Sequence, residues 1–236
     1  MSAALRVFWA IPQNEIAMRP VNEAVFSRPS HSLDQCADKL IQNLHFYTSL
    51  QAEEIQRIVA ETAIKTLKKG SLLLREGQIP QVCYYVFKGC VREYYLVDGE
   101  EKTSEFYLEG DSISDDLGKI ERRPSRKYWE CLEDTTLSVF TQAQEEKMYR
   151  LFPSIESLCR IETEKKLGQF RELMAFYLAS SPEERYLNLL QTRPNLVNRV
   201  PQYQLASYLG VKPESLSRIR GRLQASKAYR EVRKGN

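Results

Sequence analysis

Residues 71–141 read as one short strand after another: LLLRE, VCYYVF, CVREYYLV, TSEFYL, KYWECL and TLSVFT, with Gly77, Gly89, Gly99 and Gly110 falling between them. Val, Tyr, Phe and Leu suit a pleated, half-buried surface, and glycine suits the sharp connections. Asp98-Gly99 is a tight-hairpin signal. Strands this short, with turn residues about every ten positions, close into a sandwich or jelly-roll barrel. The aromatics Tyr84, Tyr85, Phe87, Tyr94, Tyr95, Phe106 and Tyr107 then fill the core and the strand faces.

Helical patterns flank this block. Leu33, Ala37, Leu40, Ile41 and Leu44 stand at helical spacing over residues 33–47. A capping-box pattern over residues 48–51 starts a second helix through Ile55, Ile58, Val59 and Thr62, which Lys68-Lys69-Gly70 is expected to end. Residues 1–32 lack clear periodicity, hold Pro12, Pro20 and Pro29, and read as an N-terminal arm. After the strands comes a proline-free run over residues 154–180, with Ile155, Leu158, Ile161, Leu167, Phe170, Leu173, Met174 and Tyr177 as an apolar stripe. Such a helix spans some ~40 Å and needs a partner along its length, either a second copy of itself or the barrel. Ser181-Pro182-Glu183-Glu184 opens a further helix, with serine as cap, proline at the first position and acids at the positive end. This places a domain boundary near Ser180.

Charge is unevenly placed. From Arg185 to the C-terminus there are eleven Lys/Arg against two acids, while the rest of the chain carries a net −6 and the whole only +3. A basic end on an acidic body points to a module facing a polyanion. Within it, QLASYLGVKPESLSRIRGRL sets Ala206, Gly210, Leu216 and Ile219 at helix-turn-helix offsets. A small residue lets two helices cross closely, glycine takes the sharp turn, and Pro213 starts the second helix without wasting a donor. In that geometry the first turns of the second helix face base edges. Glu214, Ser215, Ser217 and Arg218 are the base-reading candidates. Arg220, Arg222 and Lys227 fall where phosphates run, Lys212 lies in the turn, and Gln202 and Tyr203 open the first helix where a phosphate could sit.

Other chemistry has little footing. Cys36, Cys83, Cys90, Cys131 and Cys159 are scattered and form no C-x-x-C pair, so neither a disulfide framework, a zinc site nor an iron–sulfur cluster is expected. His31 and His45 are the only histidines. No nucleophile–base signature, metal spacing or phosphate loop is present, so no catalytic residue, no metal site and no enzyme is expected. No segment reads as a membrane span or a good signal peptide, and an intracellular, cytoplasmic protein is expected.

A leading helix, a glycine-punctuated roll, a long helix and a C-terminal helix-turn-helix together resemble the Crp/Fnr (catabolite activator) family. The resemblance covers residues 33–223. It is carried by LLLREGQIPQVCYYVFKGCVREYYLVDGEE, by Glu109-Gly110-Asp111, and by SYLGVKPESLSRIRGRL. It implies an α+β fold class. A double-stranded β-helix or jelly-roll domain of the cyclic-nucleotide-binding kind would span residues 33–152. A long linker and dimerisation helix would follow at 153–180, and a helix-turn-helix DNA-binding domain at 181–236. It implies a homodimeric transcription regulator on a pseudo-palindromic double-stranded DNA site, with RNA polymerase as a further partner and an effector in the roll. In cyclic-nucleotide binders of the family, Gly-Glu-Leu holds the ribose and an arginine before Ser/Thr-Ala holds the phosphate. Here Ser114-Asp115-Asp116 stands in place of the first, and Arg126 is followed by Lys127-Tyr128. Loss of the glycine blocks close backbone approach and the paired acids repel an anion, which argues against cyclic AMP. Ser114, Asp115, Arg126 and Lys127 remain the effector-pocket candidates. Arg122, Arg123, Arg126 and Lys127 read either as a site for another anion or as a solvated basic loop. Residues 226–236 are too short and charged for a clear DNA-binding wing, and leave a basic tail for phosphate contacts. A second reading keeps the roll as a ligand-sensing module that acts through protein contacts instead of DNA.

Overall fold

The computed structural model describes Gln51, Ile58 and residues 62–225. The expected helix over residues 33–47, most of the helix expected to start at residues 48–51, the N-terminal arm and the tail beyond 225 lie outside the described residues.

Among the described residues eight strands form two four-stranded antiparallel sheets. The first runs in the order β1 (Ala63–Leu67), β8 (Thr135–Thr141), β3 (Val82–Lys88), β6 (Ser112–Ile113), and the second in the order β2 (Leu72–Leu74), β7 (Tyr128–Cys131), β4 (Val91–Val97), β5 (Glu100–Tyr107). The chain changes sheet at nearly every connection, which rolls the two sheets around one core. That core is Leu74, Val86, Val91, Ile113, Trp129, Cys131 and Leu137. Asp98 and Gly99 both take positive φ, 53° and 78°, the backbone that a right-twisted two-residue hairpin demands. Gly89, at φ 112°, is needed for room as well. A Cβ there would stand 2.5 Å from the Thr135 hydroxyl oxygen and 2.7 Å from its Cα.

The sequence misassigned residues 63–67. They were expected to continue a helix to Gly70, yet they form β1, paired with β8 over its whole length. Ile64 and Thr66 are β-branched, the Thr66 and Thr136 hydroxyls meet at 3.0 Å, and pairing with a strand about 70 residues away overrides the local pattern. Lys69-Gly70 is a turn into β2, with the Gly70 N–H on the Cys131 carbonyl at 2.7 Å. Three further helices had no assignment: α1 (Asp116–Glu121), α2 (Gln142–Leu151) and the short helix Pro194–Arg199, where a break was expected. The second is held by a capping box of Thr141 and Gln144.

The long helix α3 runs Pro153–Ala179. Ile155 is buried beside Phe152 and Ile58. Further along, Ile161, Leu167, Phe170, Met174 and Leu178 stay 42–83% exposed, so this monomer leaves an apolar stripe uncovered. Four shorter helices follow: α4 (Pro182–Thr192), α5 (Pro194–Arg199), α6 (Gln202–Tyr208) and α7 (Pro213–Ala225). They pack around Tyr186, Leu189, Leu196, Leu205, Leu209 and Leu216, and this core is continuous with Cys90 and Phe106 of the roll.

Candidate nucleic-acid interface

Helices α6 and α7 and the turn between them are built as their residue types demand. Leu205, Ala206, Leu209 and Leu216 are fully buried, Ile219 and Leu223 nearly so. Ala206, a small residue, is buried in one core with Leu216 and Ile219 of α7. Gly210 turns the chain at φ 70°, and the Val211 N–H reaches back to the Ala206 carbonyl at 3.0 Å. Burying one side of α7 forces the other outward. Lys212, Glu214, Ser217, Arg218 and Arg222 are exposed, while Ser215 and Arg220 are half-buried.

The sequence-picked cations differ in how free they are. Arg218 donates to the Ser215 hydroxyl at 3.4 Å, and among the described residues it has no carboxylate directly paired. Arg220 donates to Gln202 Oε1 at 3.4 Å, which joins the start of α6 to the middle of α7. Arg222 is paired with Glu183 at 2.8 Å. Tyr203 is 58% exposed beside Gln202 at the start of α6. A groove of about 700 Å³ runs between the start of α4 and α7, lined by Ser181, Glu183, Lys212, Ser215, Arg218 and Arg222. Arg218 and Arg222 on the exposed face of α7, with Lys212 just before that helix, line a groove rimmed by a helix N-terminus and by Glu183 and Glu184, and suit a phosphate backbone beside readable base edges.

The roll treats its candidates differently. Asp115 is buried. Its carboxylate caps α1 through the Gly118 N–H at 3.2 Å and accepts the Ser125 hydroxyl at 2.7 Å. Lys127 Nζ stands 4.0 Å from Asp115 and 3.4 Å from Glu93. Burial pulls the Lys127 ammonium down, but Glu93, Tyr95 and Asp115 together outweigh it and hold the pKa above the ordinary lysine value. Ser114 hydrogen-bonds Asp116, and Arg126 is exposed. Asp115 and Lys127 therefore meet, while Ser114 and Arg126 do not join them. Gly118 packs closely beside them, where a Cβ would stand 2.7 Å from Pro80 and 3.0 Å from the Asp115 carboxylate. Lys127 thus faces two of the protein's own carboxylates.

Glu93 was missed by the sequence reading. It is buried, and accepts from Trp129 Nε1 at 2.8 Å, from the Ser104 hydroxyl at 2.8 Å and from the Tyr107 hydroxyl at 3.1 Å. Arg92 beside it is equally buried, bonded to Thr103 and Glu101 and lying over the Tyr94 ring. The available signal was a charged pair inside a strand of aromatics. Among the described residues no group of three or more His, Cys, Asp or Glu could hold a metal ion. Burial pushes the Cys83 and Cys90 thiols up to about 12 and Cys131 to about 11. Among the described residues no helix is long and apolar enough to cross a membrane.

Comparison with known proteins agrees with this geometry. Residues 64–151 match the cyclic nucleotide-binding domain family. Over 206 residues the chain is 23% identical to the fumarate and nitrate reduction regulatory protein of Vibrio cholerae, covering 81% of each. Over 212 residues it is 24% identical to the anaerobic regulatory protein of Haemophilus influenzae, covering 80% of this chain and 78% of that one. Among solved structures, FixK2 of Bradyrhizobium japonicum is similar in fold with a TM-score of 0.56 at 22% identity, over 70% of this chain and 85% of that one. The c-di-GMP responsive global regulator CLP of Xanthomonas campestris is similar with a TM-score of 0.58 at 18% identity, over 74% and 92%. The resemblance to the Crp/Fnr family read from the sequence holds.

Proposed function

We propose that this chain is a Crp/Fnr-type transcription regulator that binds double-stranded DNA as a homodimer, is not an enzyme, and acts in the cytoplasm without cyclic AMP. The observation that carries the reading is the face of α7: Leu216, Ile219 and Leu223 turned inward, and Glu214, Ser217 and Arg218 left on the exposed side. Arg218 reads a base through its paired donors, with Glu214, Ser215 and Ser217 around it. Lys212, Arg220, Arg222, Gln202 and Tyr203 meet the phosphates. Two copies joined along the apolar stripe of α3 set two such helices about one DNA turn apart, ~34 Å, on a pseudo-palindrome. On this reading the domains divide at 33–152, 153–180 and 181–236, and RNA polymerase is a further partner. Self-neutralisation of Lys127 by Glu93 and Asp115 supports an effector other than a cyclic nucleotide.

Selection from a random duplex pool at physiological salt tests this. A two-fold symmetric site should emerge, and Arg218→Ala should lose about 1–3 kcal/mol at one base position per half-site. Binding without sequence preference that vanishes as salt rises would refute the regulator reading. Equal loss on every sequence would move Arg218 to the phosphates.

A further inference from the structure

Helix α1 (Asp116–Glu121) is turned inside out. Its buried residue is Gly118, and its lysine faces inward: the Lys119 side chain is only 11% exposed and pairs with Glu145 of α2 at 2.8 Å. Its two large apolar side chains face outward, Leu117 at 51% and Ile120 at 69% exposure. They stand three residues apart and share one helix face. A surface helix ordinarily buries its apolar stripe and leaves its charges in water. Single apolar residues on a surface need no explanation, but a cluster of them marks a contact site.

The exposed pair is held still. Asp115 caps the start of α1 through the Gly118 N–H at 3.2 Å, and the Arg122 N–H closes its end on the Lys119 carbonyl at 3.4 Å. Tyr149 and Lys119 both donate to Glu145, at 3.0 and 2.8 Å, which ties α1 to α2. On the other side Pro80 packs against Gly118, so closely that a Cβ would stand 2.7 Å from it. Ile79, next to Pro80, is 46% exposed. The loop after α1 is stapled to the same segment, with the Gly77 N–H on the Ser125 carbonyl and the Ser125 N–H on the Gln78 carbonyl, both at 2.8 Å. A patch already fixed in this way loses little freedom when it binds.

Arginine borders this corner of the roll. Arg122, Arg123 and Arg126 follow α1 and are exposed. Arg123 pairs with Glu121 at 3.1 Å, and Asp116 accepts from Ser114. Among the described residues Arg122 and Arg126 have no carboxylate directly paired, so the charge offered outward is positive. An apolar centre with an arginine rim is the anatomy of a protein interface. Phosphates would suit the arginines but leave Leu117 and Ile120 unmatched. An anionic bilayer would meet the carboxylates of Asp116 and Glu121, and a helix of six residues is too short to lay an apolar face into lipid. We propose that this corner docks a second protein, through a segment that sets apolar side chains between carboxylates.

The probe is a phage-displayed library of random short peptides, selected on the full chain. Enriched peptides should combine Asp or Glu with Leu, Ile, Phe or Trp. Synthesised copies should bind the Leu117→Ser/Ile120→Ser protein roughly thirtyfold more weakly, as truncation of a central anchor does. Arg122→Glu should weaken binding and flatten its salt dependence. Thermal melts of both variants should match wild type, because all three side chains are exposed. No enrichment, peptides without acids, or equal binding by the double variant overturns the proposal. So does a fall in Tm, which would give Leu117 and Ile120 to the fold. A double variant that sediments as a smaller species than wild type would give the corner to a second copy of this chain. Loss of binding to phosphatidylserine vesicles by the same variants, with no peptide enriched, would give it to lipid.

Discussion

Glu93 offers a sharp test of whether the roll is held by its own buried charges. Its carboxylate takes three hydrogen bonds, from Trp129, Ser104 and Tyr107, and lies 3.4 Å from the Lys127 ammonium. Glu93→Ala strands three donors and the cation. Breaking a buried pair in this way costs about 3–5 kcal/mol. For a chain of this size that lowers Tm by roughly 6–20 °C. Glu93→Gln is milder. Its oxygen can face Trp129 and Tyr107, and its amide can face the Ser104 hydroxyl, which rotates to accept. What is lost is the charge, worth about 1–3 kcal/mol. The informative measurement is the double-mutant cycle with Lys127→Met. If Glu93 and Lys127 neutralise each other, the Glu93→Gln/Lys127→Met protein should be at least about 1 kcal/mol more stable than the two single losses predict. Thermal melts of the four proteins, fitted for unfolding free energy, give the coupling. Additivity within about 0.5 kcal/mol would refute the argument. It would mean that Asp115 at 4.0 Å, or solvent, satisfies Lys127 without help.

Gly89→Ala should be far worse than Gly99→Ala, although both glycines have positive φ. At Gly89 the new methyl meets Thr135 at 2.5 Å, whereas at Gly99 nothing lies within 4 Å. Strain near 1–3 kcal/mol plus overpacking of similar size predicts about 2–6 kcal/mol for the first, and only about 1–2 kcal/mol for the second, read from thermal melts. The Glu109 clasp should be insensitive to pH from neutral down to about 4.5 and weaken below it. Burial raises that carboxyl, but Arg199 and the Gly89 N–H outweigh it and bring it to about 2. A depressed carboxylate contributes fully above its ordinary value of 4.5 and is lost as pH falls toward its folded value. Hydrogen exchange at Gly89 against pH checks this, and loosening above pH 5 would contradict it.

Local spacing carried the parts of the fold that local chemistry decides. Ala206, Gly210, Pro213, Leu216 and Ile219 each answer a demand made within a few residues, so the helix-turn-helix was legible. The Asp98-Gly99 hairpin was legible for the same reason. Strand β1 was not, because its partner β8 lies about 70 residues on and the pairing outvotes a helical pattern. Helix α2 could have been found, since Thr141 and Gln144 spell a capping box. Glu93 was hidden because a strand pattern gives faces but not the four side chains from other strands and loops that make a buried carboxylate tolerable.

The basic C-terminal end shows where a charge count falls short. Eleven cations against two acids suggested a surface devoted to a polyanion. Yet Arg185 donates to the Tyr177 and Ser180 carbonyls, Arg193 and Arg199 face acids of the roll 66–90 residues away, and Arg222 faces Glu183. Among the described residues that leaves Lys212, Arg218 and Arg220 with no carboxylate directly paired, and these flank the turn and the exposed face of α7. The same excess charge thus has two uses. Part of it fastens the module to an acidic body, and the rest, on the proposed reading, meets phosphates. A sequence shows only the sum, whereas the partition depends on contacts between the module and the roll.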